Sequence, residues 1–208
     1  MAEADEADEA DEADEADDGQ EWRTTSSRLV YENPWLRVRE DEFVRPDGSR
    51  GLYGVVEKPD FAVVVPMDEA GFHLVEQYRY PARGRYWEFP QGTLEGEPDA
   101  TPEEVARREL AEETGFRAAS MRHLGTLHEA YGFTGQRGHV FVATGLTPGP
   151  TDLSPEEVGL VCAPVTYDEF PRLVADGRIT DAATLAAYTL LLLERGVSIR
   201  SPDTRPDR

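Results

Sequence analysis

Apolar and polar residues alternate through the stretch that follows the acidic start of the chain. In WLRVREDEF (35–43), Leu36 and Val38 alternate with Trp35, Arg37 and Arg39, the period-two pattern that sends neighbours to opposite faces of a strand. Pro46-Asp47-Gly48 supplies a turn and GLYGVVEK (51–58) opens another strand, so residues 22–60 read as a small antiparallel β-region. FAVVVPM (61–67), FHLVEQYRY (72–80), HVFVATGL (139–146) and LVCAPV (160–165) are further strands. Helical patterns cover 102–114 and 182–195, and YDEFPRLVADG (167–177) is a third, broken by Pro171. Short turns join most of the strands, which predicts an α+β arrangement with mainly antiparallel pairing.

Charge divides the chain of 208 residues unevenly. Carboxylates number 42 against 21 Lys and Arg, and eleven of them fall in residues 1–19, an Ala-Asp-Glu repeat with no basic residue. Self-repulsion and the lack of large apolar side chains beyond Met1 predict a disordered acidic tail over 1–21. The body remains acidic, with 31 carboxylates against 21 basic residues. That balance argues against a nucleic-acid or anionic-membrane partner, either of which calls for a basic stripe. A lone cysteine, Cys162, excludes an internal disulfide framework and fits a reducing cytoplasm. No signal-peptide pattern opens the chain, and the apolar run Ala182–Leu193 is too short to cross a bilayer. The expectation is a soluble cytoplasmic protein with a flexible end at 199–208.

Candidate chemistry concentrates in QGTLEGEPDATPEEVARRELAEETGF (91–116). Thr101, Pro102 and Glu104 form a helix start with a capping box, and Gly115 stops the helix. At about 100° per residue, Glu109, Glu112 and Glu113 share one stripe, while Glu103 and Glu104 point elsewhere. Two carboxylates roughly 6 Å apart repel by about 3 kcal/mol at an effective dielectric near 20. Arg108, one turn before Glu112, cannot balance three such charges. A divalent cation can, and oxygen ligands without His or Cys select Mg²⁺ or Mn²⁺.

Arg108-Glu109-Leu110-Ala111-Glu112-Glu113-Thr114-Gly115-Phe116 resembles the second half of the signature of the Nudix hydrolases at every fixed position. The first half is longer by two residues, counted from Gly92 to Arg108, and Glu97 is the nearest counterpart of its glutamate. VYENPWLRVREDEF, VEQYRYP, WEFPQG and GRITDAATLAAY are similar to their counterparts in the ADP-ribose pyrophosphatase-like branch. The resemblance implies an α/β fold: a Nudix α/β/α sandwich with a mixed β-sheet over 61–198, preceded by the N-terminal antiparallel β-region 22–60. It also implies a homodimer formed through that region.

The same resemblance implies a Mg²⁺- or Mn²⁺-dependent hydrolase. Its substrate would be ADP-ribose or a related nucleoside diphosphate sugar, cleaved to a nucleoside monophosphate and a sugar phosphate. Glu109, Glu113 and the backbone carbonyl of Gln91 would bind metal. Glu112 would bind a second ion or position water, and Arg108 would hold the glutamates. Glu157 or Glu156, on a loop beyond the signature, would be the base, with Arg79, Glu88 and Tyr131 touching substrate. Tyr131 stands where ADP-ribose-cleaving relatives usually have proline, and Gln136 near a usual acidic position. Tyrosine there suggests a second reading, hydrolysis of dinucleoside polyphosphates. A non-catalytic Nudix sensor is the third, opposed by the retained helix carboxylates. Deleting residues 1–19 is expected to leave kcat/KM and thermal stability nearly unchanged, as parallel assays and melting curves of the two forms will check.

Overall fold

Every residue of β4 (Phe61–Pro66) is buried, and its two sets of side chains enter two different cores. Phe61, Val63 and Val65 join Phe72, Leu74, Phe89, Phe170, Ala187 and Leu191. Ala62 and Val64 join Val105, Ala106, Leu110 and Phe141. A strand apolar on both faces demands cover on both, and helices supply it. The computed structural model describes residues 22–93, 100–153 and 158–197. The segments expected to be flexible, 1–21 and 199–208, lie outside the described residues.

The central sheet runs β7 (Gln91–Thr93), β4, β9 (Arg137–Pro148), β8 (Phe116–His128). β4 and β9 are parallel, from Phe61 opposite Gly138 to Pro66 opposite Ala143, and the other pairs are antiparallel. Helix α1 (Pro102–Thr114) covers one face; α2 (Phe170–Ala175) and α3 (Ala182–Glu194) pack into the core of the other. The fold is an α/β/α sandwich on a mixed sheet. A second sheet orders β10 (Val161–Thr166), β5 (Gly71–Arg79), β6 (Gly84–Glu88), all antiparallel. The N-terminal sheet is β1 (Arg23–Asn33), β2 (Leu36–Val44), β3 (Arg50–Glu57), also antiparallel.

Four elements depart from the pattern-based expectation. β8, thirteen residues long, was not legible: most of its positions are exposed or half-buried, and a bulge at His123–Gly125 breaks its alternation. β6 and β7 are too short to show a period. Pro171 does not break α2 but stands in its first turn, where a missing N–H costs nothing.

Helix α1 forms as its sequence dictates. The Thr101 hydroxyl accepts from Glu104 N at 3.3 Å, and Glu104 Oε2 accepts from Thr101 N at 2.8 Å. Gly115 closes the helix at φ 74°, its N–H donating to Ala111 O at 3.0 Å. A Cβ there would stand 2.7 Å from Gly149 O, so both backbone angle and space require glycine.

Aromatic packing anchors the core on the α2 and α3 face. Phe72, 2% exposed, meets Phe89, Tyr167, Phe170 and Tyr188 with ring centroids between 5.0 and 6.0 Å apart. Replacing it by alanine is expected to cost about 3–5 kcal/mol, measured by urea unfolding.

Candidate active site

Two carboxylates of α1 lie against the short strand β7. Glu109, 7% exposed, rests over Gly92, where a Cβ would stand 2.1 Å from Glu109 Cδ. Any side chain at position 92 would push that carboxylate from where it lies. Glu113, 2% exposed, accepts from the backbone N–H of Gln91 at 3.2 Å. Arg108 reaches Glu109 Oε1 at 3.4 Å and Glu112 Oε2 at 3.7 Å, and donates to Thr93 O at 3.4 Å. One guanidinium therefore ties the helix to β7 and stands beside two of the three glutamates. Behind them, the Cys162 thiol is pushed up to about 11, by burial first and then by the Glu113 charge, and stays protonated.

Gln91, Gly92 and Thr93, the β7 residues that Glu113, Glu109 and Arg108 touch, line a cleft of about 590 Å³. Its walls also carry Arg79, Glu88, Lys58, Glu129, Gln136 and Asp181. Glu88 and Arg79 face each other across β5 and β6. Arg79 Nε donates to Glu88 Oε2 at 3.1 Å and Nη2 to Oε1 at 2.5 Å, with Gln77 Nε2 adding a donor to Oε1 at 2.7 Å. Glu88 is 2% exposed, and burial raises its pKa despite the opposing pull of Arg79; the charge of Asp181 raises it further. Glu129 is raised by desolvation and by Asp181, with Lys58 opposing.

The structure brings most of the expected residues together. Glu109, Glu113, Arg108, Glu112 and the Gln91 backbone meet where α1 crosses β7, and Arg79 and Glu88 line the adjoining cleft. Tyr131 is 85% exposed on the loop between β8 and β9 and is not among the cleft-lining residues. Gln136 does line the cleft, buried, its side chain donating to Pro59 O at 2.6 Å. Glu97, Glu156 and Glu157 lie outside the described residues. Sequence reasoning missed Lys58, Glu129 and Asp181. For Asp181 a signal existed, as an aspartate directly before an Ala-Ala-Thr helix start is a strong N-cap.

Among the described residues no three His, Cys, Asp or Glu groups form a ready-made cage for an ion. Glu109 is turned onto Gly92, Glu113 onto the Gln91 N–H and Glu112 toward Arg108. The donors themselves fit a hard divalent cation: carboxylate oxygens, two of them on buried side chains, beside backbone that no side chain covers.

Comparison with known proteins adds an independent finding. Residues 22–56 match the family model "Nucleoside diphosphate sugar hydrolase N-terminal domain", and 57–188 match the NUDIX domain. An ADP-ribose pyrophosphatase of Mycobacterium tuberculosis is 32% identical over 170 residues, 80% of this chain and 81% of that protein. A CMP-5'-(N-acetyl-N-hydroxy-3-aminopropyl)phosphonate hydrolase of Streptomyces rubellomurinus is 28% identical, over 82% of each chain. A crystal structure of an ADP compounds hydrolase superimposes with a TM-score of 0.76 at 21% identity, covering 87% of this chain and 99% of the other, and so shares the fold.

A pH dependence follows from Glu88. Its raised pKa means that the folded protein holds this proton more tightly than the unfolded chain does. The stabilisation is complete below the ordinary value of 4.5 and is lost as pH rises through the higher folded value. Urea unfolding at successive pH values should therefore show Glu88→Gln gaining on the wild type above 4.5, with the two converging below it.

Proposed function

Because the chain belongs to the NUDIX family of hydrolases, we propose that it cleaves the pyrophosphate bond of ADP-ribose or a related nucleoside diphosphate sugar. The products would be a nucleoside monophosphate and a sugar phosphate. The observation that carries this reading is the pair of buried carboxylates, Glu109 and Glu113, held against Gly92 and Gln91, two residues of the cleft whose wall also holds the Arg79–Glu88 pair. Anionic metal-binding groups beside an oriented guanidinium suit a substrate with adjacent phosphates.

In this reading Glu109, Glu113 and the backbone carbonyl of Gln91 hold Mg²⁺ or Mn²⁺, and Glu112 serves a second ion or positions the attacking water. The bound cation supplies neutralisation of phosphate charge and a lowered pKa for water. Arg108 keeps Glu109 and Glu112 from turning away. Glu88 takes two donors of Arg79, which fixes the guanidinium plane and leaves its remaining N–H groups for a phosphate or ribose oxygen. Glu157, or its neighbour Glu156, takes the proton of the attacking water as general base.

The N-terminal sheet supports a homodimer. All of β1 but Asn33 is exposed, and Leu29, Val30, Tyr31, Trp35 and Leu52 lie bare on this sheet, a large apolar surface for a single copy to present to water. The free thiol of Cys162 fits a cytoplasmic enzyme. Hydrolysis of dinucleoside polyphosphates is the second reading, favoured by the exposed ring of Tyr131, a surface on which a second base can stack.

Turnover is expected to require added Mg²⁺ or Mn²⁺ and to vanish in excess EDTA. Glu113→Gln and Glu109→Gln should each lower kcat/KM by on the order of a hundredfold or more while remaining folded. Comparing kcat/KM for ADP-ribose, a GDP-sugar and a diadenosine polyphosphate decides the substrate. An advantage of about tenfold for the last, about 1.4 kcal/mol, would replace the first reading with the second.

A further inference from the structure

The segment that carries both Glu88 and Gln91 is stitched by three contacts to residues 178–184, the approach to α3 and its first turn. Trp87 N donates to Arg178 O at 2.9 Å, and Phe89 N donates to Thr184 Oγ1 at 3.0 Å. The third runs between side chains: Gln91 Nε2 reaches Asp181 Oδ2 at 3.5 Å, the long end of the hydrogen-bonding range. The same Asp181 oxygen accepts from Thr184 N at 2.8 Å and so caps α3. Asp181 is thereby held by its own helix before it meets Gln91.

Gln91 spends its groups in an unusual way. Its side-chain amide donates to Glu88 Oε2 at 3.3 Å as well as to Asp181, so one NH₂ group stands between two carboxylates. Its backbone N–H meanwhile goes to Glu113. Loss of the Asp181 contact would leave the side chain tethered on one side only, to Glu88, and the short β7 has only three residues with which to hold its position. The carboxylates of Asp181 and Glu88 would then lack the NH₂ group that stands between them.

We propose that Asp181 is a positioning residue: through the Gln91 side chain it fixes the strand that presents the Gln91 carbonyl to the metal and whose Gln91 N–H holds Glu113 of α1 in place. The inference rests on the metal assignment made above. An ordinary N-cap role predicts a lower melting temperature on loss of the cap and no effect on the ion. The positioning role predicts a change in metal affinity at constant stability.

Binding of Mn²⁺ alone to the metal-free full-length protein, followed by electron paramagnetic resonance of the free ion, separates the two. Asp181→Ser keeps a capping oxygen but is too short to reach Gln91. It should weaken Mn²⁺ binding about tenfold with an unchanged melting temperature. Asp181→Asn, with an acceptor at the original reach, should restore binding to within about twofold of the wild type. Gln91→Ala leaves the cap intact and should reproduce the serine variant's loss, and the double variant should lose no more than either single one. Wild-type affinity in Asp181→Ser, or additive losses in the double variant, would overturn the proposal. Should Asp181→Ser fail to fold, Gln91→Ala decides alone, with a loss supporting the proposal and wild-type affinity refuting it. Glu113→Gln keeps the two readings apart. If it leaves Mn²⁺ binding intact, the metal assignment fails; if it abolishes binding while Asp181→Ser does not alter it, only the role of Asp181 fails.

Discussion

Holding two glutamate side chains out of water against three residues of backbone is the constraint around which this molecule is organised. A buried carboxylate costs several kcal/mol unless donors and countercharge meet it, and Glu109 and Glu113 bury two on adjacent turns of one helix. The answers are local and cheap in residues: a strand position without a side chain at Gly92, a backbone N–H at Gln91, and Arg108 lying across the stripe. Each works only if α1 keeps its axial position. The reciprocal Thr101–Glu104 cap at one end and the left-handed Gly115 at the other set that position.

The rest of the architecture supplies rigidity beneath that contact. β4 contributes one face to the core under α1 and the other to the aromatic cluster around Phe72, so the strand that pairs with β7 is clamped from both sides. The cleft opens where β7, the β5–β6 hairpin and the start of α3 converge, which sets the Arg79–Glu88 pair beside the carboxylate stripe. Glu88 is the more buried partner and Arg79 the more exposed one, 2% against 40% of the side chain. The carboxylate is therefore the anchored partner of the pair, and the guanidinium the one that reaches toward water.

Local signals made α1 and its stripe legible from the amino-acid sequence, since a capping box, a stop glycine and a 3.6-residue spacing all lie within fifteen positions. β4 was equally plain, because a strand covered on both faces is written as an unbroken apolar run. β8 escaped because it lies at the edge of its sheet with much of its surface in water, so burial wrote no period into it. Lys58, Glu129 and Asp181 escaped for another reason. They come to the cleft from β3's exit, β8's exit and α3's entry, and nothing in linear order records that those three ends meet. Tyr131 shows the converse, a position that stands out in sequence and projects into solvent.

One pair of hydrogen bonds bears on how such proteins can be recombined. Val56 N donates to Phe133 O at 2.8 Å, and the Tyr53 hydroxyl donates to Gly132 O at 2.7 Å, so the last strand of the N-terminal sheet grips the loop whose far end, at Gln136, lines the cleft. The sheet is contiguous in the chain and looks like a removable cassette, but its last strand is fastened to backbone about 80 positions downstream. A chimaera that exchanges this sheet between relatives inherits one half of that fastening and must find the other in its host. Compatibility in such grafts is a property of the 130–133 loop as much as of the cassette.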